Sequence, residues 1–273
     1  MAWLLLAFSG LTLLAFAALF LGSEVTEDYF AWTIQPPLTA AFLGAGYGAG
    51  CVLVALSLRA RTWAGARSPL LTILLFTLLT LLATLLHLNR FHFDSPGTTA
   101  RFAAWFWMVT YVVVPPAMAI LIAVQERAAR PSGGRPRPIP AWLTGLLLVE
   151  GLVMLGVGVV MFVFPGTSDA LWPWTMPPLS VRAVAAWLIA FGVAAGLAVR
   201  DGDLARLEIP SLAYAVFGVL ELAALLRYRH EPDWDGPAAW IYLTLAVTVT
   251  LTGIAGLLAI RLTARQAAPS KNP

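Results

Sequence analysis

The chain has 273 residues, of which 60% are hydrophobic and 11% charged, with a mean hydropathy of +0.82 and a formal net charge of +3. A soluble globular domain carries about 25% charged residues, and a water-soluble fold of this size cannot hide so much apolar surface, so the composition implies an integral membrane protein. The basic balance lacks the aromatic-interleaved face of a nucleic-acid binder, and the single cysteine, Cys51, excludes an intrachain disulfide or a cysteine-based metal site.

Eight apolar runs, at about 2–21, 38–58, 68–88, 102–124, 141–164, 180–199, 207–226 and 237–260, are long enough to cross a hydrocarbon core. Without water in that core each run satisfies its own backbone only as a helix. The first run lacks a positive amino-terminal region and reads as a retained helix rather than a signal peptide. The expected fold class is therefore an all-α integral membrane protein with eight transmembrane helices.

Alternation of the runs places eleven of the sixteen arginines and Lys271 on one side, against Arg90, Arg101, Arg182, Arg227 and Arg229 on the other. The excess sets the first side, with both termini, in the cytoplasm of a bacterial inner (plasma) membrane.

A stretch that occurs twice gives the register of the chain. Trp32-Thr33-Ile34-Gln35-Pro36-Pro37-Leu38-Thr39 precedes the second run, and Trp174-Thr175-Met176-Pro177-Pro178-Leu179-Ser180 precedes the sixth. Further echoes follow in the same order. Thr26-Glu27-Asp28 matches Thr167-Ser168-Asp169, the loop around Arg90-Phe91-His92 resembles that around Arg229-His230, and each loop leads to an Ala-Ala-Trp at Trp105 and Trp240. The expected organisation is a four-helix repeat over 1–128, a flexible Pro/Gly/Arg linker over 129–140, a second repeat over 141–263 and a disordered tail over 264–273. Units with an even number of helices insert in parallel, related by a pseudo-two-fold axis along the membrane normal.

Pro36, Pro37, Pro177 and Pro178 suit a first helical turn. Trp32 and Trp174, with Trp105, Trp107, Trp172, Trp234 and Trp240, read as an interfacial belt whose indole N–H groups stay wet. Pro115-Pro116 removes two backbone donors inside the fourth run and predicts a kink or break there. Glycines spaced four apart, Gly44/Gly48, Gly46/Gly50 and Gly192/Gly196, read as close-packing faces, as does the stripe Thr244, Thr248, Thr252, Gly256.

Two carboxylates, Glu150 and Glu221, fall inside apolar runs, where ionised groups are costly and functional by default. Tyr214 stands on the face of Glu221, toward the same cavity. The matching positions of the first half, near Leu11 and Ala83, are not acidic. On the opposite side of the membrane from the termini, His87, Arg90, His92, Asp94, Arg227, Arg229, His230 and Asp233 form a candidate mouth, with guanidinium groups suited to phosphate or carboxylate. Thr77, Thr80, Thr84 and His87 share one face of the third run. No metal motif, Walker loop, nucleophile elbow or dinucleotide fingerprint is present, and no cofactor or metal is expected.

The sequence thus predicts a protein that binds or moves a small solute, proton or lipid-like ligand between the two repeats, at a site open to the outer face. The alternatives are a non-catalytic subunit or assembly factor of a membrane complex, or an embedded enzyme acting on a lipid or quinone. The expected partners are the bilayer, a small ligand and a membrane-protein companion, and not nucleic acid.

Overall fold

A computed structural model describes residues 2–58, 63–128 and 136–266. Among them the chain is helical, with one isolated bridge between Trp32 and Phe91 and no strand. Helix α1 (Ala2–Phe16) runs on through a wider turn to Leu21, and α2 (Thr26–Tyr29) is one short turn. Then come α3 (Pro37–Ser57), α4 (Trp63–Leu86), α5 (Thr98–Ala128), α6 (Ala141–Val163), the short α7 (Ser168–Leu171), α8 (Pro178–Asp201), α9 (Glu208–Arg227) and α10 (Pro237–Gln266). Seven of these helices are long and apolar enough to cross a membrane, and α1 adds a shorter apolar segment over Leu6–Leu21. The chain is a helical membrane protein.

Helices α3 and α8 form the centre. Helix α3 packs against α1 and α9, and α9 carries α10; helix α8 packs against α6 and α4, and α4 carries α5. Each central helix takes one neighbour from its own half and one from the other, so the halves interlock. Small residues allow the close approach that lipid-embedded helices need. A Cβ on Gly44 would meet the Phe20 backbone nitrogen at 2.6 Å, and one on Gly46 would meet the Trp187 ring at 2.6 Å. Gly192 lies against Gly151 and Leu155, whereas Gly196 faces open space, so only half of that glycine pair packs. Helix α5 continues unbroken through Pro115 and Pro116, with Pro115 buried and Pro116 exposed.

The two Pro-Pro loops start α3 at Pro37 and α8 at Pro178, as a missing N–H in the first turn allows. The tryptophans before them depart from the interfacial expectation. Trp32 and Trp174 are 3% and 4% exposed. Each loop folds inward over the helix ends and stacks its ring in an aromatic cluster: Trp32 against Phe30 and Trp107, Trp174 against Trp172 and Tyr242. Burying these large rings outweighs leaving their N–H groups in the headgroups. Trp107 and Trp172 are buried too, while Trp105 and Trp240 stay exposed, as an interfacial belt requires.

At the opposite, linker face, Gly202 (φ +60°) ends α8 in the left-handed conformation that glycine adopts without strain. The described part of the linker is tethered: the Leu204 N–H donates to the Arg137 carbonyl at 2.7 Å, and the Arg137 N–H donates to Asp203 Oδ1 at 3.2 Å. Residues 129–135, where flexibility is expected, lie outside the described residues. Helix α10 continues to Gln266, into the segment expected to be disordered, because its intrahelical bonds carry on past the apolar run. The remainder of that tail, 267–273, lies outside the described residues.

Glu231 offers a test of how the loops hold the helices. Its Oε2 accepts the Leu38 N–H at 2.9 Å, capping α3 from the other half of the chain. Burial raises its pKa, the Leu38 N–H works against that, and Glu24 adds to it. A carboxyl raised in the folded state contributes stability that is complete below its unfolded pKa and is lost as pH rises through the folded one. Glu231→Gln keeps an acceptor but cannot ionise. Its thermal midpoint relative to wild type is expected to climb as pH rises from about 4 to 8. Glu231→Ala is expected to follow the same pH trend as Glu231→Gln but to lie about 1 kcal/mol below it at every pH, because the cap itself is gone.

Candidate functional site

The central helices do not close on each other along their whole length. A cavity of about 630 Å³ lies among α1, α3, α4, α5, α6, α8, α9 and α10, each of which contributes to its wall. Ligand pockets fall in the range of about 300–1,000 Å³. It extends from Tyr29, Ala31 and Thr99 near the tryptophan loops to Leu207 and Pro210 near the linker face. A smaller cleft at the linker face shares Leu53, Thr72, Ala194, Ala198, Leu207 and Pro210 with it, and adds Ser68, Asp201 and Arg206. Ser68 donates to Asp201 Oδ2 at 2.7 Å, and Arg206 pairs with Asp203 at 3.3 Å.

The wall is aromatic and aliphatic. Tyr47 sits edge-on to Trp187 at 5.3 Å, Trp187 stacks on Phe76 at 3.8 Å, and Trp107 lies 4.4 Å from Tyr111. The hydroxyls of Tyr47 and Tyr111 bond each other at 2.5 Å, one donating and the other accepting. Between α1 and α5 the wall reaches the bilayer-facing surface: Leu14, Phe102 and Phe106 line the cavity and are 61%, 69% and 40% exposed. Most of the lining there is apolar, with Thr12 on α1 and Thr99 and Thr110 on α5 among it.

Of the candidate binding residues named from the sequence, Tyr214 alone lines this cavity. Its hydroxyl is buried and has no hydrogen-bond partner. Glu150 stands behind the wall. Thr252 Oγ1 donates to Glu150 Oε1 at 2.7 Å, joining α6 to α10, while Oε2 has no partner. Thr248 stands near the same carboxyl but donates to the Leu245 carbonyl at 3.0 Å. Glu221, 1% exposed, does not share the cavity with Tyr214: its Oε2 accepts from Tyr242, and its other oxygen has no partner. Leaving a buried polar atom unpaired costs about 1–3 kcal/mol, so each such atom calls for an explanation.

The other candidate residues stand away from the cavity, in the loops on the tryptophan side. His87 is held at both ring nitrogens, Nδ1 donating to the Ala83 carbonyl at 3.0 Å and Nε2 accepting from Arg182 at 3.0 Å. His92 ties the loop to the first tryptophan stretch, Nδ1 donating to the Phe30 carbonyl at 2.9 Å and Nε2 facing Thr33 Oγ1 at 3.1 Å. Arg227 binds the Phe20 carbonyl and Glu24 at 2.9 and 3.1 Å, bracing α9 against the end of α1. Arg229 and His230 are exposed neighbours at 3.2 Å, and the Asp233 backbone N–H donates to the Pro173 carbonyl at 2.7 Å. Arg90 and Asp94 are exposed. These loops gather no group of three or more His, Cys, Asp or Glu able to hold a metal among the described residues. In the threonine row of α4, Thr77 faces the cavity and donates to the Leu74 carbonyl, and Thr84 accepts the Trp107 N–H at 3.0 Å.

Sequence reasoning passed over Thr252, Tyr242 and Thr39. Thr252 was visible only as part of a packing stripe. Thr39 was visible only as the end of the repeated stretch and Tyr242 not at all, because their partners, the Trp174 N–H and Glu221, come from elsewhere in the chain. No protein-family model, curated protein or solved structure matches this chain.

Proposed function

We propose that this chain is an eight-helix protein of a bacterial inner membrane, with both termini cytoplasmic, that binds a lipid-like ligand in a cavity between two four-helix repeats. The observation that carries this reading is the apolar cavity of about 630 Å³, bounded by helices of both halves and reaching the bilayer between α1 and α5. A polar solute or ion gains little from such a wall, whereas a chain of methylene groups fits it with dispersion contacts along its length.

The repeat finds support in paired contacts. The α1–α3 and α6–α8 pairs, the α3–α9 and α8–α4 pairs, and the α4–α5 and α9–α10 pairs each exchange when the halves are exchanged. The same holds for single residues. Phe30, Trp32 and Trp107 form one ring cluster, and Trp172, Trp174 and Tyr242 form the other. Trp107 bonds Thr84 where Tyr242 bonds Glu221. Trp174 donates to Thr39 at 2.8 Å across the halves, while the corresponding pair, Trp32 and Ser180, leaves both polar atoms unpartnered. The excess of arginine at the linker face supports the orientation.

The test is binding of a pyrene-labelled hydrocarbon to the purified protein in nanodiscs, read as energy transfer from tryptophan. Trp107 and Trp187 stand in the cavity wall. A ligand there is expected to give saturable transfer that unlabelled hydrocarbon displaces. Transfer that rises linearly with probe, as from the bilayer alone, contradicts the reading.

A further inference from the structure

One hydroxyl in the cavity wall is buried without a partner. Tyr214 is 7% exposed, lines the cavity and has no partner for its hydroxyl. Ser211 and Thr252 line the same stretch. That stretch is set by the α9–α10 seam, where Gly253 lies against the Ala215 backbone and a Cβ would meet the Ser211 carbonyl at 2.6 Å. That approach holds the helices that carry Thr252 and Tyr214 together. Behind Thr252, Glu150 is 4% exposed, its Oε2 is without a partner, and its carboxyl acts electrostatically on Tyr214. An orphaned tyrosine hydroxyl thus belongs to the chamber wall, with an orphaned carboxyl oxygen behind that wall. No lysine, arginine or histidine lines that chamber among the described residues.

We propose that Tyr214, backed by Glu150 and Thr252, is a subsite for the single uncharged polar group, a carbonyl or a hydroxyl, of a lipid whose apolar chain fills the cavity. This rests on the cavity reading above and narrows its ligand class. The tyrosine hydroxyl donates to a carbonyl and both donates to and accepts from an alcohol, so either head satisfies it. A phosphate or carboxylate head finds no cation in this lining, and the Glu150 carboxyl stands behind it. The charged phospholipids of the bilayer are thereby refused, which separates a bound ligand from bulk lipid by chemistry rather than by shape.

The experiment uses four probes that share one chain, namely dodecane, dodecanol, dodecanone and dodecyl phosphate, each competing with the pyrene-labelled hydrocarbon on wild type and on Tyr214→Phe. The substitution removes one oxygen and keeps the ring. Because that oxygen has no partner in the protein, the thermal midpoint is expected not to fall. Dodecanol and dodecanone are expected to lose about two- to tenfold in affinity in Tyr214→Phe, the worth of one net hydrogen bond. Dodecane is expected to bind both forms equally, which shows that the chamber is intact, and dodecyl phosphate to compete no better than dodecane. Unchanged affinity for the alcohol and the ketone in Tyr214→Phe overturns the subsite, as does preference for the phosphate. Failure of all four probes to compete on wild type instead removes the cavity reading, and the subsite with it.

Discussion

Replacing Ala194 with tryptophan is expected to cut binding of an apolar probe at least tenfold while leaving the helices assembled. Ala194 lies on α8, half-buried, and lines both the main cavity and the cleft at the linker face, opposite Leu53 of α3 and Thr72 of α4. An indole at this position projects into empty space rather than into a packed seam. It therefore avoids the cost of overpacking, which is about 1–3 kcal/mol in a filled core. It takes volume and contact surface from the ligand in the narrow part of the chamber. The measurement is a titration with the pyrene-labelled hydrocarbon beside a thermal unfolding curve in the same detergent. Lost binding with a preserved midpoint places the ligand in this chamber. Unaltered binding would put the probe elsewhere on the protein.

The second large effect concerns the α9–α10 seam. Gly253→Ala is expected to lower stability by on the order of 3 kcal/mol, although alanine is the better helix former by about 1 kcal/mol. The new methyl would fall on the Ala215 backbone nitrogen, 2.6 Å from the Ser211 carbonyl and 2.9 Å from the Ala215 Cα. Backbone cannot rotate away as a side chain can, so α9 and α10 must separate. Gly196→Ala is the control: no atom lies within 4 Å of its added methyl, and it is expected to be neutral or slightly stabilising. Thermal unfolding of both variants in one detergent decides the point, and equal midpoints would mean that the α9–α10 contact contributes little.

Much of this architecture was legible in the sequence because the bilayer enforces it. Long apolar runs must become helices, and the observed α3, α6, α8 and α9 begin and end within about three residues of the runs that predicted them. Prolines marked the first turns of α3 and α8 for a local reason, the missing N–H. The tryptophans beside them were misread because burial of a ring depends on what folds over it. Trp32 is enclosed by Phe30, Phe91 and Trp107, and Trp107 lies far along the chain. Glu150 stood out in the sequence as a carboxylate in an apolar run, but its bond to Thr252 joins positions 102 residues apart and leaves no local pattern. The interlocking of the halves was equally hidden, since nothing near α4 states that it packs on α8 rather than only on its own neighbours. The outer histidines and arginines drew attention by residue type. In the fold, His87, His92 and Arg227 tie loops to helix ends.

The claim that the cavity holds a lipid is tested most directly by a cryo-EM map of the protein in nanodiscs of native lipid. An elongated density is expected along Tyr47, Trp107 and Trp187, entering between α1 and α5, with its end within hydrogen-bond distance of the Tyr214 hydroxyl. A cavity collapsed by side-chain repacking, or filled by ordered water rather than by a continuous chain, would contradict it.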